Sequence, residues 1–143
     1  MNRYIILLFI TFICLTDVSA QADRQSIRSG NKLYRMQEYS KAEAEYRKAV
    51  AVNPDNPQAL YNLGCALMMQ QKDSAAVEEY QKAARVEKNA MRKAKIFHNI
   101  GVICQNRKMF AEAISAYKES LRNNPDDNET RYNLALCKRQ QKN

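Results

Sequence analysis

Apolar positions recur along this chain with the 3.6-residue period of amphipathic helices, in stretches divided by short polar breaks. Leu60, Leu63 and Leu67 share one helical face; beyond the polar residues around Gln71, Ala76, Val77, Tyr80 and Ala83 share another. The pattern predicts two helices joined by a tight turn, and it recurs. The chain holds three glycines, Gly30, Gly64 and Gly101. Twelve residues after each comes an alanine (Ala42, Ala76, Ala113), four further a tyrosine (Tyr46, Tyr80, Tyr117), and three further a small residue (Ala49, Ala83, Ser120). Successive glycines are 34 and 37 residues apart, which makes the unit a repeated helical hairpin. Glycine inside a helix costs up to about 1 kcal/mol relative to alanine, so three at one phase imply close helix approach, with the tyrosine filling the space alongside. Pro54, Pro57 and Pro125 fall between units, where one helix stops and the next begins. The fold expected is all-α: three hairpins over about residues 23–56, 57–93 and 94–127.

A fourth start follows. RYNLAL at 131–136 aligns with LYNLGCAL at 60–67 and FHNIGV at 97–102, and Ala135 lies 34 residues after Gly101. Residues 128–141 are expected to form a first helix without its partner, a cap over the apolar edge of the third hairpin. Tyr132, Leu134 and Leu136 are expected to face inward, with Arg131, Lys138, Arg139 and Lys142 in water. Asp126, Asp127, Asn128 and Glu129 suit the positive N-terminal end of that helix.

The first twenty residues have a different character. Arg3, the apolar run Tyr4 to Leu15, and Val18-Ser19-Ala20 read as an export signal cleaved after Ala20. Twelve apolar residues are too few for a membrane span, which needs about twenty to cross roughly 30 Å. Ile13 precedes Cys14 where lipoprotein signals place a small residue, so cleavage is expected rather than lipid attachment. The 143-residue chain then leaves room for one small domain, residues 23–143. The formal charge is +8, and losing Arg3 and Asp17 together leaves it unchanged. Export directs that basic surface toward anionic lipid, polymer or acidic protein rather than nucleic acid, for which no recognition pattern is present. Cys65, Cys104 and Cys137 form no CxxC and are odd in number, which reads as small apolar residues on packed helices. A thiol-dependent redox role would have to use one of the three.

Residues 23–143 resemble the tetratricopeptide repeat family on this glycine, alanine, tyrosine and proline register. The resemblance implies a right-handed superhelical array whose first helices line a concave peptide-binding side. By phase the groove candidates are Arg24, Asn31, Tyr34 and Arg35, then Tyr61, Asn62, Cys65 and Met68, then Lys95, His98, Asn99 and Val102, and finally Tyr132. Some members grip a C-terminal carboxylate with Lys and Asn from three first helices; Asn31, Asn62 and Lys95 match three of those five positions, whereas Ile27 and Asn99 do not. The family usually has glycine in the turn within each hairpin, where this chain has Gln37, Gln71 and Lys108, so turns tighter or looser than usual are expected.

The longer second interval falls at RVEKNAMRKAK, residues 85–95, where Arg85, Lys88, Arg92, Lys93 and Lys95 against Glu87 give a balance of +4. A lengthened helix with a solvated basic face accounts for it, and docking of an acidic partner is the alternative. His98 is the single histidine and occupies the slot of Tyr61 and Tyr132. No nucleophile pattern, metal cluster or phosphate-binding glycine loop is apparent, so neither enzyme activity nor a cofactor is expected. The export signal, three repeats, basic second junction before HNIGV, and NPDDNETRYNLALCKRQQ together resemble the repeat protein of the Bacteroides aerotolerance (Bat) operon. That resemblance implies a periplasmic partner of membrane-anchored proteins with von Willebrand factor A domains, linked to oxygen or stress tolerance. A periplasmic scaffold for envelope or outer-membrane assembly is the competing expectation.

Overall fold

The structure, a computed structural model, describes residues 21–142; the export signal expected at residues 1–20, Cys14 included, lies outside them. The described residues form helices and no strand: α1 over 21–35, α2 Tyr39–Val52, α3 Pro57–Met69, α4 Asp73–Val86, α5 Ala90–Asn106, α6 Phe110–Asn123 and α7 Asn128–Gln141. Among them no helix is long and apolar enough to cross a membrane.

Two different devices start the helices. From α3 on, the helix that opens a unit uses a side-chain cap: Asn56 accepts from the backbone N–H of Gln58 and Ala59 before α3, Asn89 from Arg92 before α5, and Asp127 from Thr130 before α7. The helix that closes a hairpin has no such cap. It follows a turn in which Gln37, Gln71 and Lys108 adopt φ of 61°, 59° and 59°. Each turn closes with the same bonds, as at Gln71 N to Met68 O, 2.9 Å, and Lys72 N to Leu67 O, 3.0 Å. These are Schellman closures. The expectation of tighter or looser turns is therefore corrected: all three keep the left-handed form that glycine would favour, and non-glycine residues bear the steric cost.

The repeated glycines seat the repeated tyrosines. A Cβ on Gly30, Gly64 or Gly101 would stand 2.5, 2.7 or 2.4 Å from the ring of Tyr46, Tyr80 or Tyr117. The rings lie fully buried among Leu60, Leu63, Leu67, Ile96 and Ile103, with the alanines of the register at Ala42, Ala76 and Ala113. Ile27 belongs to a smaller cluster with Ala49 and Ala59 and is buried.

Polar bonds fasten one unit to the next. Asp23, itself buried, accepts from Asn53 and Asn56 at 3.3 and 3.1 Å. Glu43 on α2 accepts from Gln70 at 2.8 Å and Lys72 at 2.9 Å, both in the second unit, and from Arg47 on its own helix. The second and third units meet through Asn99, which donates to Tyr80 Oη at 3.1 Å and Tyr61 Oη at 3.4 Å, and through an exposed Arg107 to Ser74 bond.

The longer second interval resolves into two changes. Helix α5 has 17 residues against 13 in α3, while the preceding linker shortens from residues 53–56 to 87–89. The extra turn lies at the start of α5, ahead of position 94 where the third unit was expected to open.

Helix α7 packs on α6, and its inward stripe is Thr130, Leu134 and Cys137. The inward placement of Tyr132 is corrected: Tyr132 is 67% exposed, and Leu136 is half-buried. A helix presents residues i, i+4 and i+7 on one face, so Thr130 sets the stripe and Tyr132 falls off it.

Candidate peptide-binding groove

Two adjoining cavities open on the first helices. One, about 320 Å³, is lined by Asn31, Tyr34 and Arg35 of α1, Tyr46 of α2, and Tyr61, Asn62 and Cys65 of α3. The other, about 520 Å³, is lined by Tyr61 and Asn62 again, with Gln58, Glu87, Arg92, Lys95 and Ile96 among its remaining walls. Tyr61 and Asn62 therefore stand between them. Side by side, the two cavities form a channel-like groove along the first helices of all three units, with those two residues as the shared wall.

The floor is a hydrogen-bonded layer. Tyr46 Oη donates to Asn31 Oδ1 at 2.8 Å, and Asn62 Nδ2 donates to the same oxygen at 3.0 Å. Both bonds end on the Asn31 carbonyl, which turns its amide nitrogen away as a donor for a ligand. In the next unit Tyr80 Oη lies 3.3 Å from Cys65 Sγ and 3.8 Å from Met68 Sδ. In the third, Tyr117 Oη donates to Gln105 at 2.7 Å. Burial pushes the Tyr46 phenol up to about 12 and raises Tyr61 and Tyr80 further, so the floor stays uncharged at neutral pH. Burial also raises the thiols of Cys65, Cys104 and Cys137, which are free; at Cys65, hydrogen bonds with Tyr80 and Tyr61 oppose the rise without reversing it. Scarce thiolate suits a packing role better than nucleophilic or redox chemistry.

The other expected groove residues divide. Met68 and Val102 are half-buried against the core, and Arg24 is exposed; none of the three lines either cavity. Asn99 spends its amide on the two tyrosines already named. His98 is committed to the cap: its Nδ1 lies 2.6 Å from Thr130 Oγ1, which donates to Asp127 at 2.7 Å, and its ring packs 5.8 Å from that of Tyr117. A hydroxyl has one proton, so the Thr130 bond to Asp127 requires Nδ1 of His98 to be the donor. Tyr132 on α7 is exposed and lines neither cavity.

The basic junction also divides. Arg92 forms a two-pronged pair with Glu87, Nε to Oε2 at 2.9 Å and Nη2 to Oε1 at 3.0 Å. Burial acts to raise the Glu87 carboxyl, but the hydrogen bonds from Arg92 are the larger influence and lower it. Arg85 and Lys88 are exposed and Lys93 is half-buried, and none of them lines a cavity. The junction is thus one internal ion pair with separate solvated cations, and only Arg92 and Lys95 reach the channel.

Family descriptors match three stretches of this sequence: TPR repeat over residues 30–71, and Tetratricopeptide repeat over 57–89 and again over 94–127. The chain belongs to the tetratricopeptide-repeat family. Solved structures share its fold. The first TPR of Spaghetti (RPAP3), bound to HSP90 peptide SRMEEVD, is 20% identical with a TM-score of 0.79, covering 86% of this chain and 95% of that one. The N-terminal domain of stress-induced protein-1 from C. elegans is 21% identical with a TM-score of 0.77, covering 84% and 97%. The Yersinia enterocolitica type III secretion chaperone SycD, in complex with a peptide of the translocator YopD, is 13% identical with a TM-score of 0.75, covering 82% and 93%. No curated protein sequence matches this chain. At such identities the likeness shows the fold, a right-handed superhelical array.

In this tetratricopeptide-repeat protein the channel also uses residues that phase reasoning passed over. Gln58 lies 34 residues after Arg24 and 37 before Lys95, so the register alone could have nominated it. Tyr46 reaches the channel from a second helix, through a hydroxyl at the far end of a buried ring. Glu87 is marked in the sequence only as the single acid of a basic run.

Proposed function

We propose that this protein is an exported, periplasmic interaction module that holds an extended segment of a partner protein in its channel. The observation that carries the reading is that the two cavities share Tyr61 and Asn62 as walls, which sets amides and aromatic faces of the first two units beside Arg92, Lys95 and Ile96 of α5. Amides suit the backbone of an extended chain, and tyrosines offer rigid apolar area with a polar tip. Two of the structures sharing the fold, Spaghetti and SycD, are bound to peptides, which supports the same use here.

The partner we propose is a membrane-anchored protein with a von Willebrand factor A domain, in an aerotolerance or stress-related complex. The support is the likeness to the Bat repeat protein, carried by the signal-like first twenty residues, the basic junction and the closing NPDDNETRYNLALCKRQQ. Crosslinking in the cell envelope, with and without Tyr61→Ala and Lys95→Glu, tests both levels. The wild type is expected to capture the von Willebrand-type partner, and the variants to lose it. Capture of outer-membrane assembly factors instead would replace the partner with an envelope-assembly one. Capture unchanged by both substitutions would remove the channel from the interaction.

A further inference from the structure

Each repeated tyrosine ends in a hydroxyl that finds its partner on the first helix of its own unit, and the second unit differs from the others. Tyr46 donates to Asn31 at 2.8 Å and Tyr117 to Gln105 at 2.7 Å, both good oxygen acceptors. Tyr80 instead meets two sulfurs, Cys65 Sγ at 3.3 Å and Met68 Sδ at 3.8 Å. Both are weak acceptors, and the phenol they serve belongs to a side chain with 0% exposure. Hydrogen bonding alone does not account for sulfur at both positions.

Cys65, Met68 and Met69 follow one another at i, i+3 and i+4 on α3, so the three sulfurs leave one helical face within about a turn. Met68 is half-buried and Met69 is 48% exposed, and each thioether sits at the end of a flexible, unbranched chain. Neither Cys104 nor Cys137 has a methionine within four residues along the chain. The smaller cavity opens onto Cys65, which gives the cluster a path from solvent. Among the described residues no three His, Cys, Asp or Glu side chains converge, so methionine is what completes a donor set here.

We propose that Cys65, Met68 and Met69 form a site for a soft monovalent metal ion of the Cu(I) class. One thiolate and two thioethers are donors that soft ions take and that hard, oxygen-seeking ions such as Mg²⁺ and Ca²⁺ do not. On binding, the metal–sulfur bond replaces the S–H bond and the thiol proton leaves to solvent. Cu(I) on thiolate therefore adds no net charge to the uncharged floor, whereas a divalent ion on the same donors leaves one positive charge in a cavity that Arg35 also lines. Burial makes a bare thiolate costly at Cys65, and a bound cation removes that cost.

Anaerobic titration of the purified protein with Cu(I), in competition with bicinchoninate, tests the site. Each chain is expected to withdraw one Cu(I) from the indicator, with a thiolate-to-metal charge-transfer band appearing in the ultraviolet. Cys65→Ala is expected to abolish the band. Met68→Leu/Met69→Leu, which conserves side-chain volume, is expected to weaken binding about tenfold or more while helical dichroism stays unchanged. No Cu(I) withdrawn by the wild type, or Zn(II) held as tightly, would overturn the site. A band that survives Cys65→Ala would do the same, as would an affinity indifferent to the methionine pair, which would leave only an isolated thiol.

Discussion

Gly64 and Tyr80 share a space that only one of them can fill. An added methyl at residue 64 would lie 2.7 Å from two carbons of a ring with 0% exposure, so the ring or the helices must shift. Overpacking of this kind costs about 1–3 kcal/mol, against roughly 1 kcal/mol that alanine returns in helix propensity. Gly64→Ala is therefore expected to lose up to about 2 kcal/mol in urea denaturation, and the loss should shrink when Tyr80→Leu is added. Glycine and tyrosine were legible in the sequence because their spacing repeats. The hydroxyl partners were not, because they change from unit to unit: Asn31, then Cys65, then Gln105. The same holds for His98, whose slot pointed to the channel while its actual partner, Thr130, sits 32 residues away on the cap.

Each hairpin closes through a left-handed residue that is not glycine, and this is where the sequence misled. Gln37, Gln71 and Lys108 show that the packing of paired helices imposes the turn against local preference. The strain is local, so it can be relieved locally. Gln71→Gly keeps both closing bonds, which use backbone atoms alone, and is expected to raise stability by about 0.5–1 kcal/mol after the entropy of glycine is counted. A rise in melting temperature would show it, and a fall would mean that the Gln71 side chain holds the turn. The extra turn of α5 was legible only as a length of three residues. That it combines a longer helix with a shorter linker depends on where Asn89 caps, and Asn89 carries no mark distinguishing it from the other asparagines of the chain.

Across the whole stack, Glu43 is the group most responsive to acid. Burial alone would raise its carboxyl, but hydrogen bonds from Lys72, Gln70 and Arg47 outweigh it and hold the value at about 2. A carboxyl lowered by folding stabilises the native state above its unfolded value, near 4.5, and that contribution disappears as pH falls toward 2. Glu43→Gln is expected to cost about 2–3 kcal/mol at pH 6, and the gap to wild type should close between pH 4.5 and 2 in thermal melts. The array itself was readable from period and phase; this contact was not, since two of its three partners, Gln70 and Lys72, come from a neighbouring unit and its turn.

The polar fastenings between units differ in kind. The first boundary has Asp23, Glu43 and the paired amides of Asn31 and Asn62, whereas the second has Asn99, the buried Glu87 carboxylate on Arg92 and one exposed arginine. The larger cavity, walled by α3 on one side and α5 on the other, straddles that second boundary, so a segment seated there would act as a rivet across it.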